Sequence, residues 1–269
     1  MDRTELVQHI HRKQSFLCVG LDPDPARIPD VCGTGIDGVV HFCKEIISHT
    51  RDYCVAYKPN IAFFEALGRR GWEALFRVRE ALPDDCFLIA DAKRADIGNS
   101  SRMYARAFFE ELDFDAITVA PYMGADSVMP FLEYPGKWTI LLALTSNSGS
   151  QDFQVVTDPE GIPLYQRMIA RSGAWGSPEQ LMYVVGATHP DLLRGVREVA
   201  GDYFFLVPGV GAQGGDLRSV AEAAMTDDVG LLVNATRAII YAGDGMDFAE
   251  QARLKAHAYQ AEMAGFLSR

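Results

Sequence analysis

Residues 86–96 read Cys-Phe-Leu-Ile-Ala-Asp-Ala-Lys-Arg-Ala-Asp, and this stretch decides the fold. Its first five residues are an unbroken apolar run, without the polar alternation of a half-exposed strand. That is the pattern of a strand buried on both faces of a parallel sheet. The run then ends abruptly in charge. Similar short apolar runs lie at 16–20, 54–58, 116–119, 139–144, 182–186, 204–207 and 230–233. Helical patterns separate them at 38–48, 63–82, 100–112, 164–174, 190–199 and 216–224, and one at 248–267 closes the chain. Eight strands alternating with helices at roughly 30-residue spacing predict a (β/α)8 TIM barrel of the α/β class. An open doubly wound sheet is the second reading, but no G-x-G-x-x-G follows the first strand.

The 269 residues suit one barrel, and no Ser/Gly/Pro linker divides them, so residues 1–269 are expected to form a single domain. With 48% hydrophobic and 23% charged residues the chain can bury a full core. Lys and Arg total 25 against 36 Asp and Glu, a net charge of −11. Such a surface repels phosphate backbones and anionic lipid, so neither a nucleic acid nor a membrane is an expected partner. No apolar run reaches ~18 residues, and residues 1–14 are polar with mixed charge, unlike a membrane span or a signal peptide. The five cysteines show no C-x-x-C spacing and read as reduced thiols of a cytoplasmic protein. His9-Ile10-His11 has a metal-like look but precedes the first strand, and a helix surface explains it.

In a barrel, chemistry sits at the C-terminal strand ends and in the loops that follow. The third strand delivers Asp91 and Lys93 two apart on one face of an extended chain, with Asp96 at the turn into the helix. D-x-K-x-x-D is weak by itself, since a chain of this length shows it by chance about once in twenty. A buried pair bracing the barrel rim would also explain Asp91 and Lys93. Position favours chemistry: Lys58, at the neighbouring strand end, adds a second cation. At ~4 Å and an effective dielectric of ~20, each opposite pair gains about 4 kcal/mol before desolvation.

The seventh strand leads into Pro208-Gly209-Val210-Gly211-Ala212-Gln213-Gly214-Gly215-Asp216 and the eighth into Asn234-Ala235-Thr236-Arg237. Glycines let backbone amides approach an anion, and these two loops commonly hold phosphate in barrels. Arg237 would be the fork and Gln213 a neutral donor. Taken alone the glycines could form only a tight strand–helix connection, but with Arg237 opposite a phosphate site is favoured. After the fifth strand the chain opens into Thr145-Ser146-Asn147-Ser148-Gly149-Ser150, too polar and Gly-rich to bury itself, and a lid loop is expected near 145–163.

Together, Asp91-x-Lys93-x-x-Asp96 with Lys58, the run at 208–216 and Arg-Ala-Ile-Ile-Tyr at 237–241 resemble orotidine 5′-phosphate decarboxylase. Leu21-Asp22-Pro23-Asp24-Pro25, Tyr57-Lys58-Pro59-Asn60 and Thr145-Ser146-Asn147 resemble its longer-chain branch. The resemblance spans residues 16–241. It implies cofactor-free, metal-free decarboxylation of orotidine 5′-phosphate to UMP, the last step of de novo pyrimidine synthesis, in a homodimer. Carried over, Lys93 would be the proton donor to C6, Asp91 would lie beside the departing carboxylate, and Lys58 would pair with Asp91 and contact the ribose. Asp96 would reach into the partner subunit's site. Asp22 would bind a ribose hydroxyl, Ser146 the pyrimidine edge, and Gln213 and Arg237 the phosphate, with Pro208, Thr236 and Ser100 also in the substrate site. Ser148 stands where the family has proline, Ser100 where it has the threonine that contacts the neighbouring ribose, and Thr236 where it has serine.

Two other readings compete. Metal-dependent sugar-phosphate decarboxylases and aldolases of the same barrel superfamily share Asp-x-Lys-x-x-Asp. They place an acidic magnesium ligand where this chain has Lys58, which would repel a divalent cation. A non-catalytic nucleotide-phosphate sensor predicts a broken charge array, whereas Lys58, Asp91, Lys93 and Asp96 are all present.

Overall fold

The structure, a computed structural model, describes residues 1–187, 190–211 and 215–268. Eight strands, β1 (Leu17–Leu21), β2 (Ala56–Pro59), β3 (Phe87–Arg94), β4 (Ala116–Val119), β5 (Trp138–Leu144), β6 (Leu181–Val185), β7 (Phe204–Pro208) and β8 (Leu231–Ala235), follow one another in a closed barrel. Between and around them run α1 (Arg3–Lys13), α2 (Gly35–Thr50), α3 (Ile61–Glu65), α4 (Arg69–Arg79), α5 (Gly98–Arg106) and α6 (Ala125–Leu132). Then come α7 (Leu164–Ser172), α8 (Pro190–Ala200), α9 (Leu217–Ala224), α10 (Arg237–Ile240) and α11 (Phe248–Leu267). Every expected strand is present, and the registers observed between neighbours are parallel. The chain packs as two compact units, Met1–Val7 with Lys93–Asn234 and Gln8–Ala92 with Ala235–Arg269.

In the first unit β4 to β8 pair in register, Ala116 with Trp138, Thr139 with Leu181, Met182 with Phe204 and Phe205 with Leu231. These strands are buried along nearly their whole length, on both faces, and Ile117, Ile140, Met182, Phe205 and Leu232 are among the residues they bury. The segments leading into β7 and β8 are fastened by Arg197 of α8. Its guanidinium lies 3.6 Å from the Phe205 ring centroid and donates to the carbonyls of Gly201, Tyr203, Ala224 and Gly230.

In the second unit β1 pairs with β2 and β2 with β3, Cys18 opposite Ala56 and Ala56 opposite Phe87. The buried face of α2, with Val39, Phe42, Cys43 and Ile46, packs on α11. Phe42 stacks on Phe248 at 5.5 Å. All five cysteines are free and buried.

Local departures from the sequence reading have physical causes. The helix expected at 63–82 is two helices, broken at Gly68, whose φ of 66° is left-handed. Gly71 then lies so close to the Phe64 carbonyl that a Cβ there would collide with backbone oxygen. The pattern at 100–112 begins as α5 and finishes in a π-helical turn, Ala107–Glu111. α6 falls outside the expected helices; it is eight residues long and contains Pro130. His9 is not on a helix surface. Leu6, His9 and Ile10 share the buried stripe of α1, and Nδ1 of His9 meets the Arg12 guanidinium at 2.6 Å.

Gly71→Ala is the sharpest probe of the α3–α4 corner, because the obstacle is backbone rather than a movable side chain. Urea unfolding should show a loss of about 1–3 kcal/mol. An unchanged midpoint would contradict the close approach.

Candidate active site

The second unit supplies the buried charges. Lys58 at the end of β2 donates from Nζ to Oδ2 of Asp91 on β3 at 2.5 Å, and only 5% of the lysine and 8% of the aspartate is exposed. Burial pulls the lysine pKa down, but the charges of Asp91 and Asp22 and the hydrogen bond to Asp91 outweigh it. The ammonium is therefore held above its ordinary value and stays charged. Asp22, just beyond β1, accepts from Nδ2 of Asn60 at 3.3 Å. The other end of that amide caps α3, accepting the Ala62 N–H at 3.3 Å. Asn60 also forms a bridge with Asp91. Beyond β8, Thr236 lies against Gly20, where a Cβ would collide with its hydroxyl, so only glycine admits this approach. Arg237 follows as the exposed first residue of α10.

The first unit supplies Lys93, whose side chain is exposed and whose backbone is left-handed with φ of 48°. That conformation costs a non-glycine residue about 1–2 kcal/mol and is concentrated at functional sites. It is held by a hydrogen bond from the Lys93 N–H to Oγ1 of the buried Thr118 at 2.9 Å. Asp96 is half-buried; its Oδ1 accepts the Ile97 N–H at 2.7 Å, and its carbonyl accepts from the Ser101 hydroxyl. Ser100 is exposed on the first turn of α5.

After β5 the chain forms a 3-10 turn, Ser148–Asp152, and a small hairpin in which Thr157 bridges Pro163. Gln154 folds back on its start: its Oε1 accepts the Thr145 N–H at 2.8 Å, and its Nε2 donates to Oγ1 of Thr145 at 2.9 Å. Ser146 is half-buried beside Gly186, where a Cβ would come within 2.8 Å of its own. Although the loop opening looked too polar to bury, Ser150 is buried. A groove of 440 Å³ lined by Glu160, Ile162, Gln166, Arg167, Ala170, Arg171 and Val199 contains none of the strand-end residues.

Pro208 ends β7 opposite Asn234 of β8. Gly209 and Gly211 follow with φ of 99° and 78°, values only glycine adopts freely, and Gly215 returns its N–H to the Gly209 carbonyl at 3.2 Å. Gln213 lies outside the described residues. Among the described residues, no three His, Cys, Asp or Glu side chains are gathered to hold a metal ion.

Each unit thus brings its expected residues to the C-terminal ends of its own strands, to the loops beyond, or, for Ser100 and Arg237, to the first turn of the helix that follows. Lys58, Asp91, Asp22, Thr236 and Arg237 do so in one unit, and Lys93, Asp96, Ser100, Ser146 and Pro208 in the other. The supporting shell had been missed: Asn60, Thr118, Gln154 and Tyr241 act through hydrogen bonds rather than charge. Asn60 had a legible signal, standing as an N-cap directly after an apolar strand.

A parallel barrel with ionised groups at the strand ends is the architecture of a barrel enzyme. The chain belongs to the orotidine 5′-phosphate decarboxylase / HUMPS family, whose profile matches residues 15–252. It is 54% identical to the orotidine 5′-phosphate decarboxylase of Parabacteroides distasonis over 99% of this chain and 96% of that one. The Leishmania donovani OMP decarboxylase structure is similar at 37% identity and a TM-score of 0.83, covering 97% of this chain and 99% of that one. Leishmania donovani UMP synthase is similar at 39% identity and a TM-score of 0.83 over 95% of this chain, which spans 56% of that longer chain.

The buried pair makes a stability prediction of its own. Lys58→Met removes a buried partner of Asp91 and should cost on the order of 3 kcal/mol in urea unfolding. Replacing both, Lys58→Met with Asp91→Leu, should recover most of that loss. Equal loss in the single and double variants would mean that the pair itself holds the barrel together.

Proposed function

We propose that this protein catalyses the cofactor-independent decarboxylation of orotidine 5′-phosphate to UMP and CO2, the last step of de novo pyrimidine biosynthesis. Membership of the family and the named activity of the Parabacteroides distasonis relative support the reaction. The observation that carries it is the buried ion pair between Lys58 on β2, held charged, and Asp91 on β3, the strand that also delivers Lys93. A magnesium ligand is acidic; an ammonium in its place repels a divalent cation and favours metal-free chemistry over that of the metal-dependent relatives.

The reaction needs what these residues offer. Loss of CO2 breaks the C6–carboxylate bond and leaves its electron pair on C6 as a vinylic carbanion with little delocalisation. Stabilisation must come from fixed charge. Lys93 is the cation assigned to C6; it transfers a proton there and is recharged from solvent. Asp91 faces the departing carboxylate, and Lys58 holds Asp91 and contacts the ribose. Asp22 binds a ribose hydroxyl, Ser146 the pyrimidine edge, and Arg237 and Gln213 the phosphate, with Pro208 and Thr236 lining the site. Phosphate is remote from C6, so its binding energy is available to close the 145–163 lid and exclude water. Residues 1–269 act as one barrel domain in this reading.

The same proposal makes the protein a homodimer in which Asp96 and Ser100 serve the neighbouring site. The first unit exposes Ile97, Met103, Tyr122, Met123 and Met129, on and beside the packed helices α5 and α6. Clustered exposed apolar residues mark association surfaces. Reduced buried cysteines fit a cytoplasmic location, the acidic surface disfavours nucleic acid, and no helix among the described residues is long and apolar enough to cross a membrane.

Subunit mixing tests these assignments together. Lys93→Ala and Asp96→Ala homodimers should each be nearly inactive on orotidine 5′-phosphate. In a mixed dimer one site collects both lesions and the other has neither. Random exchange of equal amounts makes half the dimers mixed, so activity should return to about a quarter of wild type. No recovery after demonstrated exchange would place Asp96 in its own subunit's site, and near-normal turnover by Lys93→Ala would contradict the mechanism.

A further inference from the structure

One side chain ties the loop that carries Asp22 to the helix that begins with Arg237. Tyr241 follows the last turn of α10, and its N–H donates to the Arg237 carbonyl at 3.3 Å. Its hydroxyl donates to the Asp22 carbonyl at 2.8 Å and accepts the Asp24 N–H at 2.8 Å. The ring lies 4.0 Å beneath the Arg27 guanidinium and stacks on Phe42 at 5.6 Å.

The loop it grips is itself tightly turned. The Arg27 and Ile28 amides donate to the Asp24 carbonyl at 2.9 and 3.2 Å, and the Ala26 amide to Oδ1 of Asp24 at 3.0 Å. Where β1 ends, backbone groups lose the strand ladder and need other partners. The phenol supplies a donor and an acceptor to two of them at once. Burial raises the Tyr241 pKa, so the hydroxyl keeps the proton that it donates.

We propose that Tyr241 is a positioning residue for substrate binding, fixing the Asp22 loop to α10 so that ribose and phosphate meet groups already set at one spacing. This rests on the proposed assignment of Asp22 to ribose and Arg237 to phosphate. Two contacts to one substrate add fully only when their separation is preorganised; otherwise binding must order the loop. A brace of this kind acts on affinity and leaves the chemical step nearly untouched.

Tyr241→Phe keeps the ring, its stacking and the cation above it, and deletes only the hydroxyl. Hydrogen–deuterium exchange at the Asp24 amide should accelerate at least about tenfold. KM for orotidine 5′-phosphate should rise about five- to tenfold with kcat within about twofold. Asp22→Asn should also raise KM, and the double variant should be no worse than Asp22→Asn alone, because the brace works through that loop. Additive losses, a fall confined to kcat, or an unchanged KM would each overturn the inference. Should the wild-type protein not decarboxylate orotidine 5′-phosphate, the proposed function fails on its own. The exchange measurement then still decides the brace, since an unchanged Asp24 amide in Tyr241→Phe overturns it.

Discussion

A lysine and an aspartate 2.5 Å apart, both almost wholly buried at the ends of adjacent strands, impose the constraint on which the rest depends. Taking two ions out of water costs several kcal/mol each, and their attraction repays this only where geometry is tight and further hydrogen bonds assist. Apolar side chains of similar volume would fill the same space as stably. Keeping charge there makes sense when charge is what the protein uses. Below the pair, β2 and β3 are apolar on both faces, with Tyr57, Leu88 and Ile89 buried. Above it the chain changes at once to Asn60, Lys93 and Asp96. The strand therefore has two jobs divided by position: the lower part builds the core and the upper part holds ions.

That division explains what was legible in the sequence. Continuous apolar runs gave strand positions to within a few residues, because a strand buried on both faces leaves no ambiguity of face. The charges were equally visible, since an ion directly after such a run has few structural reasons to be there. Lys58, Asp91 and Lys93 stand out in the sequence on those grounds, and the structure places all three on β2 and β3. The phosphate assignment of Arg237 depended more on the resemblance, and the structure adds its place as the first residue of α10.

What stayed hidden is fixed by contacts between distant segments. Nothing near Gly71 announces that the Phe64 carbonyl will press against it, yet that contact accompanies the split of one expected helix into α3 and α4. Likewise, Gly20 and Thr236 are 216 positions apart in numbering but leave no room for a methyl group between them. His9 reads as a helix-surface residue because it precedes the first strand, whereas its helical spacing from Leu6 and Ile10 puts it on the buried stripe. Thr118, Gln154 and Tyr241 carry no charge that would single them out. They matter because the Lys93 amide, the Thr145 amide and the Asp22 carbonyl each need a partner beyond the ladder.

The central claim is that fixed protein charge, without a metal, drives loss of the C6 carboxylate. Its most direct measurement is release of labelled CO2 from carboxyl-labelled orotidine 5′-phosphate by protein stripped exhaustively with EDTA. The account predicts UMP and CO2 in equal amounts, at the same rate before and after stripping and with no gain from added Mg2+. Turnover that disappears on stripping and returns with Mg2+ would contradict it.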